Sequence, residues 1–96
     1  ETGMTMPRDN ELKCWPEAFA AIRAGLKLAE LRWNDRDFKA DDTVTLREFI
    51  PSEADGPWMH PTGRYTGEFE RRRIRHVANV GRWAAGYVLL SLEVLS

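Results

Sequence analysis

The feature that most limits the fold is that only one segment has the spacing of an amphipathic helix. Phe19 and Ile22 recur at helical spacing after Pro16, a residue that is favourable at the first helical position, and Gly25 suits the position just past a helix end. We predict a helix over residues 16–24. Parallel strands need long crossover connections, which are usually helical. A single short helix therefore favours a mostly antiparallel sheet.

Strand-like segments surround this helix on both sides. The element order is β, α, β, β, long loop, β, β, with strands predicted at residues 11–15, 28–34, 43–50, 69–77 and 87–95. A stretch rich in Pro, Gly and Ser at residues 51–67 is the predicted long loop. The order predicts an α+β fold: a small, curved, mostly antiparallel β-barrel of about five strands, with one principal helix at its edge or mouth.

Composition limits the number of domains and the classes of function. A chain of 96 residues with 43% hydrophobic and 30% charged content is typical of one domain. We expect that domain at residues 10–96, after a cloning remnant and flexible N-terminus at residues 1–9. The formal net charge is −1, so any contact with nucleic acid must come from a local basic patch. The single cysteine permits no intrachain disulfide, and no apolar run suits a membrane span, so we expect a cytoplasmic protein without membrane contact.

Residues 27–38, KLAELRWNDRDF, concentrate charged side chains around a tryptophan. Period-two alternation places Glu30 and Arg32 on one face of a strand and Leu31 and Trp33 on the other, which we expect to be the buried face. The charged face is either a pocket for a phosphate, carbonyl or amine, or a solvated salt-bridge ladder contributing under about 1 kcal/mol per pair. The candidate ligand-binding side chains on or beside this face are Lys13, Lys27, Glu30, Arg32 and Asn34.

The predicted strand at residues 69–77 is a second candidate surface. Its four arginines, which would contact a nucleic-acid backbone, are Arg71, Arg72, Arg73 and Arg75. Trp58 and Tyr65 of the preceding loop would stack on unpaired bases. The alternative is a solvated edge strand that charge protects from aggregation.

The histidines form no metal-binding pattern. His60 and His76 are far apart in the sequence, and no ligand spacing joins them. We therefore expect neither a metal ion nor a cofactor.

With these segments placed, the chain resembles the ASCH branch of the PUA-like superfamily, and within it a small family from bacteria and phages. The resemblance rests on ELK at 11–13, AIRAGLK at 21–27, ELRWNDRDF at 30–38, LREF at 46–49, YTG at 65–67 and GYVLL at 86–90. The resemblance implies a PUA-like barrel of about five strands whose cleft is lined by the Gly-x-Lys-x-x-Glu-x-Arg string at 25–32. It also implies contact with RNA or a modified nucleotide.

The chain departs from the family pattern at three positions. Asn10 stands where the family usually has His, Leu28 where it has Thr, and Asp41 where a Gly is common. The first two departures remove polar groups from the expected cleft. In related amidohydrolases a Lys and a Thr three residues later share the chemistry; Lys27 matches the Lys, but Glu30 stands in place of the Thr. Catalysis here would therefore rest on Lys27 and on a water-activating Glu30.

Three functions stay open at this point. The first is a module that binds RNA or a nucleotide, with DNA also possible, in a polar cleft. The second is a small hydrolase acting on a modified nucleoside or on RNA. The third is a protein-interaction module of a phage or bacterium, which would use the loop at 51–67. The oligomeric state and the ligand are not determined by these patterns.

Overall fold

The computed structural model describes residues 6–52 and 62–95. Within them the chain forms five strands and one helix: β1 (Asp9–Cys14), α1 (Pro16–Arg23), β2 (Ala29–Trp33), β3 (Thr43–Pro51), β4 (Gly63–Asn79) and β5 (Tyr87–Val94). The strand order is β1-β3-β4-β5-β2, in which β1 and β3 are parallel and the other neighbours are antiparallel. The sheet curls into a half-barrel. This confirms a curved, mostly antiparallel sheet of five strands with one principal helix.

The ends of α1 follow from local sequence signals. Pro16 starts the helix after an extended residue, and Arg23 ends it. Gly25 then adopts a left-handed conformation (φ 79°), which costs glycine little. Its N–H donates to Ile22 O at 3.0 Å, and the Leu26 N–H donates to a carbonyl of the last turn at 2.9 Å. The helix is eight residues long, and none of the helical structure in the described ranges could span a bilayer.

The helix packs on the inner face of the sheet, against the central strands β3 and β4. Phe19 and Ile22 are buried and enter the same core as the inward rows of the strands. The strand residues of that core are Leu12, Cys14, Val44, Leu46, Ile74, Val88, Leu90 and Leu92. Because β1, β3, β4 and β5 all contribute apolar side chains to this core, the apolar face of the helix is covered by the sheet.

The predicted loop at 51–67 is shorter than expected. Residues 63–67 belong to β4, where Tyr65 is paired with Phe49 of β3. Gly63 permits this pairing because a Cβ there would lie 2.2 Å from the carbonyl oxygen of Ile50. Gly63 therefore serves a close approach of the two strands.

The N-terminal boundary also differs from the prediction. Asp9 already belongs to β1, and the N–H of Arg8 donates to the buried carboxylate of Asp42 at 2.9 Å. The carbonyl of Arg8 in turn accepts from the N–H of Thr43 at 2.9 Å. Residues 8 and 9 are therefore part of the folded domain.

A β-bulge between Arg47 and Phe49 changes the outer half of β3. Phe49 is 4% exposed, yet it lies outside the main core. Glu48, between these two residues, accepts a hydrogen bond from the Thr66 hydroxyl at 2.9 Å. The bulge thus places the buried ring of Phe49 near the end of the strand, apart from the main core.

Candidate functional site

Strand β2 turns its charged side chains inward, which reverses the predicted orientation. Glu30 is 6% exposed, whereas Leu31 and Trp33 are 55% and 57% exposed. Glu30 is the register partner of Leu90, a fully buried residue of β5. The expectation that Trp33 lies in the core is therefore wrong, because an acid occupies the inner row instead.

The buried carboxylate of Glu30 is fully paired with cations from its own segment. The ammonium group of Lys27 donates to one carboxylate oxygen, and also to the carbonyl of Ala29. The Nε–H of Arg32 donates to the other carboxylate oxygen at 2.9 Å. Burying a charge is costly unless it is paired and hydrogen-bonded. These contacts explain how an acid is tolerated among the core aliphatics.

Arginine side chains bridge the gap between the two edge strands, β1 and β2, which we call the seam. Arg32 donates through Nη2 to the carbonyl of Lys13 at 2.6 Å. Arg36 donates through Nη1 to the carbonyl of Glu11 at 2.5 Å. Strands β1 and β2 are not ladder partners. Guanidinium groups therefore cover carbonyls that would otherwise form an open edge.

A cleft of about 410 Å³ opens at this seam, and we call it the seam cleft. Lys13 and Trp15 line one side, at the junction of β1 and α1, and Glu30, Arg32 and Trp33 line the other. Trp33 meets Tyr87 edge-on at a ring distance of 5.6 Å. The cleft thus combines a charged floor with two partly exposed indole rings.

Lys13 differs from the other cations of the seam cleft. Lys27 and Arg32 are both ion-paired with Glu30. In the described part of the chain, no carboxylate lies within ion-pair distance of Lys13. Its ammonium group lies instead 5.3 Å from the ring centre of Phe49. Lys13 is therefore a cation with free hydrogen-bond donors at the cleft.

Three aromatic side chains beside Lys13 form what we call the aromatic cluster: Trp15, Phe49 and Tyr65. The ring of Phe49 lies 5.5 Å from that of Trp15 and 5.1 Å from that of Tyr65. The guanidinium of Arg47 stacks over Tyr65 at 3.9 Å. A stacking role was predicted for Tyr65 but not for Trp15 or Phe49. The cluster depends on the parallel register that pairs Lys13 with Arg47, which no local pattern indicates.

The thiol of Cys14 also lines the seam cleft. Burial raises the pKa of Cys14 to about 11 from its ordinary 9.0, and the negative charge of Glu30 adds to the increase. Arg32 and Lys27 oppose this shift without reversing it. Because the thiolate is the nucleophilic form, Cys14 is a packing residue rather than a nucleophile near neutral pH.

Asn34, a predicted ligand-binding residue, does not line the seam cleft. Its side-chain oxygen accepts from the N–H of Phe38 at 3.0 Å, and its own N–H donates to the carbonyl of Gly86 at 2.9 Å. Phe38 is buried in the core, so this hydrogen bond ties the turn to the core. Asn34 is therefore a turn residue, while the other four predicted ligand-binding residues lie around the seam cleft.

Arg72 points to the inner face of β4, away from the other arginines of that strand. It is 9% exposed, and its Nη2 donates to the carbonyl of Ile22 at 3.1 Å. Its Nη1 pairs with Glu70 at 3.1 Å. This arginine links the last turn of α1 to the sheet and is not part of an exposed basic surface.

The other three arginines of the predicted basic patch lie on β4 beside acidic residues. Arg71 is 3.6 Å from Asp9, and Arg73 and Arg75 are each 3.5 Å from Glu93. Strand β4 is in the middle of the sheet, so the alternative of a charged edge strand is wrong. The acids offset much of the positive charge that the sequence displays.

The remaining predicted residues divide between described and undescribed parts of the chain. Trp58 and His60 lie outside the described residues, and their roles stay predictions. Tyr65 is in β4 and 40% exposed. Within residues 6–52 and 62–95, no group of three His, Cys, Asp or Glu side chains could hold a metal ion.

The three departures from the family pattern do not lie in the seam cleft. Asn10 is buried and donates to the carbonyl of Thr43 at 3.3 Å, and Leu28 is 58% exposed. Asp41 has a left-handed backbone (φ 77°), which explains why glycine suits the same position. Neither Asn10 nor Leu28 therefore lines the seam cleft.

This fold and cleft define a small α+β domain built on a half-barrel. Residues 10–92 match the model of a family described as "Domain of unknown function (DUF3850)", and the chain belongs to that family. It is also similar to the "Uncharacterized 12.9 kDa protein in GpA 3'region" of Escherichia phage P2. The two are 31% identical over 85 residues, which cover 88% of this chain and 68% of the phage protein.

Proposed function

We propose that this chain is a PUA-like module of the ASCH type that binds a nucleotide or a segment of RNA in the seam cleft. The observation that carries the proposal is that the seam cleft is lined both by Lys13, which is not ion-paired within the described part of the chain, and by Trp15, whose side chain is half-exposed. Phosphate groups are bound well by cations, and unpaired bases stack on aromatic rings. A nucleotide offers both chemistries within one small ligand.

The donors around the cleft favour a ligand rich in hydrogen-bond acceptors. Arg32 uses its Nε–H for Glu30 and one Nη2–H for the carbonyl of Lys13, which leaves its Nη1 hydrogens for a ligand. Both oxygens of Glu30 already accept hydrogen bonds. We therefore assign Glu30 to the positioning of Arg32, and Lys13 and Arg32 to the ligand's phosphate or carbonyl oxygens.

Binding is better supported than hydrolysis. The ammonium group of Lys27 and the carboxylate of Glu30 are ion-paired with each other, although a catalytic role would need at least one of them free for substrate or water. Cys14 keeps its proton near neutral pH, as its raised pKa requires. Neither Lys27 with Glu30 nor Cys14 therefore provides a nucleophile with an adjacent free base.

Titration calorimetry tests this proposal with the four ribonucleoside 5′-monophosphates and an eight-residue oligouridylate. The matched variants are Lys13→Met and Lys39→Met, since Lys39 is an exposed lysine that pairs with Asp37 in a different part of the molecule. Hydrogen bonds that involve a charge contribute about 1.5–3 kcal/mol, so we expect Lys13→Met to weaken binding roughly 10- to 100-fold.

Lys39→Met should bind as the parent protein does. Both variants should melt close to the parent, because neither lysine contributes to the buried core. If none of these ligands binds the parent protein, or if Lys13→Met binds them as tightly as Lys39→Met, the seam cleft is not the proposed site.

A further inference from the structure

The aromatic cluster extends the binding surface beyond the seam cleft. Tyr65 and Arg47 do not line the cleft, whereas Lys13 and Trp15 belong to both the cleft and this neighbouring surface. A single nucleotide in the cleft would leave Tyr65 uncovered. The cluster therefore needs an explanation of its own.

The cluster is built as a supported pair of rings. Phe49 is almost fully buried and contacts both Trp15 and Tyr65, which are 41% and 40% exposed. Buried contacts of this kind hold the two outer rings in place before any ligand arrives. Two half-exposed rings on one buried support offer two separate stacking positions.

A cation lies near the buried support of these rings and near one of the two stacking positions. The ammonium group of Lys13 is 5.3 Å from the ring centre of Phe49 and 5.7 Å from that of Tyr65. Beyond it, the guanidinium of Arg47 lies flat enough on Tyr65 to approach its ring centre to 3.9 Å, and it is 37% exposed. Guanidinium planes also stack on bases. The surface thus carries two half-exposed rings, with the Lys13 ammonium group and the Arg47 guanidinium both beside Tyr65.

We propose that the ligand is a single-stranded oligonucleotide of at least two nucleotides. One base lies in the seam cleft against Trp15, the linking phosphate contacts Lys13, and the next base stacks on Tyr65 and Arg47. Alternating rings and cations are the arrangement by which proteins bind single strands with little sequence preference. The inference rests on the proposed function and adds the class of ligand. A duplex does not fit, because its bases are already stacked and paired.

Fluorescence anisotropy competition with uridylates of one, two, three and six nucleotides tests this inference. Affinity should increase from one to two or three nucleotides and then change little. Stacking contributes about 1–3 kcal/mol per base, so Tyr65→Leu should weaken trinucleotide binding roughly 5- to 150-fold. The same variant should leave mononucleotide binding within about threefold of the parent, since Tyr65 lies outside the cleft.

Tyr65→Phe should restore most of the trinucleotide affinity, because it keeps the ring. Trp83→Leu is the matched control: Trp83 is 78% exposed in the turn between β4 and β5, and its loss should change nothing. Arg47→Gln provides a second test that does not depend on the stability of the Tyr65 variant, and it should also weaken trinucleotide binding selectively. Deoxyuridylates of equal length show whether the 2′-hydroxyl contributes; binding of either single strand supports the inference.

Four results would overturn the inference. Equal affinity for the mono- and trinucleotide would leave the proposed function intact and remove the second base position. The same follows if Tyr65→Leu and Arg47→Gln match Trp83→Leu, or if a hexamer duplex binds as tightly as the single strand. Failure of the parent protein to bind any of these ligands would overturn the proposed function as well.

Discussion

Replacing Arg72 by methionine should destabilise the protein by about 2 kcal/mol. In the native structure Arg72 donates to the carbonyl of Ile22 at 3.1 Å, to that of Arg71 at 2.8 Å and to Glu70 at 3.1 Å. Charge-assisted hydrogen bonds contribute about 1.5–3 kcal/mol, and methionine retains much of the apolar packing of the arginine stem. Glu70 also keeps its contact with Arg23 at 2.7 Å, so the substitution leaves no unpaired acid.

Urea unfolding followed by far-UV circular dichroism measures this change. A loss of about 2 kcal/mol lowers the melting temperature of a domain of this size by roughly 10 °C. Arg75→Met is the matched control, because it removes the same charge from the same strand. The Arg75 side chain is 69% exposed and lies 3.5 Å from Glu93, so its loss should cost under about 0.5 kcal/mol. Equal costs for the two variants would refute the assignment of Arg72 as the link between helix and sheet.

Two further predictions concern Cys14 and Trp33. Because the folded protein holds the Cys14 proton up to a pKa of about 11, whereas the unfolded thiol loses it near the ordinary 9.0, stability should fall as the pH rises from about 9 to about 11. Cys14→Ala should lack this component in urea unfolding across the same range, and parallel pH profiles for the two proteins would contradict the prediction. Trp33→Ala should lower the free energy of unfolding by under about 1.5 kcal/mol, since the indole is 57% exposed. Leu90→Ala in the core should lower it by about 2–5 kcal/mol. Equal unfolding free energies for these two variants would show that Trp33 is a core residue after all.

The elements of the fold were predictable where the signals are local. Pro16 and Gly25 determine the limits of the helix through backbone preferences that act within a few residues. The strands at 43–50 and 87–95 were predicted from alternation and from a continuous apolar run. Both patterns reflect the burial of these strands, to which the neighbouring strands of the sheet contribute.

The orientation of β2 was not predictable from its alternation. A row with Leu31 and Trp33 is more apolar than a row with Glu30 and Arg32, so hydrophobicity alone selects the wrong inner face. The inner position of Glu30 is tolerable only because Lys27 and Arg32 reach it from adjacent positions. Such compensation depends on three-dimensional contacts that a period-two pattern does not contain.

The candidate site was predictable only in part, because some of its contacts also depend on the three-dimensional structure. Lys13, Glu30 and Arg32 line one cleft, and Lys27 is ion-paired with Glu30 beside it, while the binding roles predicted for these residues stay predictions. Residue Arg47 was missed because it reaches Lys13 only through the parallel pairing of β1 with β3, two strands separated by the helix and by β2. Contacts between distant segments are determined by topology and not by local propensity.

The seam between β1 and β2 has a mechanical consequence for the barrel. In a barrel closed by a continuous backbone ladder, strand number and stagger determine the diameter. Here the closing contacts are those of the Arg32 and Arg36 side chains with carbonyls of β1. Long side chains change rotamer on far shorter timescales than a ladder opens. The gap between β1 and β2 can therefore change its width through side-chain rotamers, while every pair of neighbouring strands keeps its register.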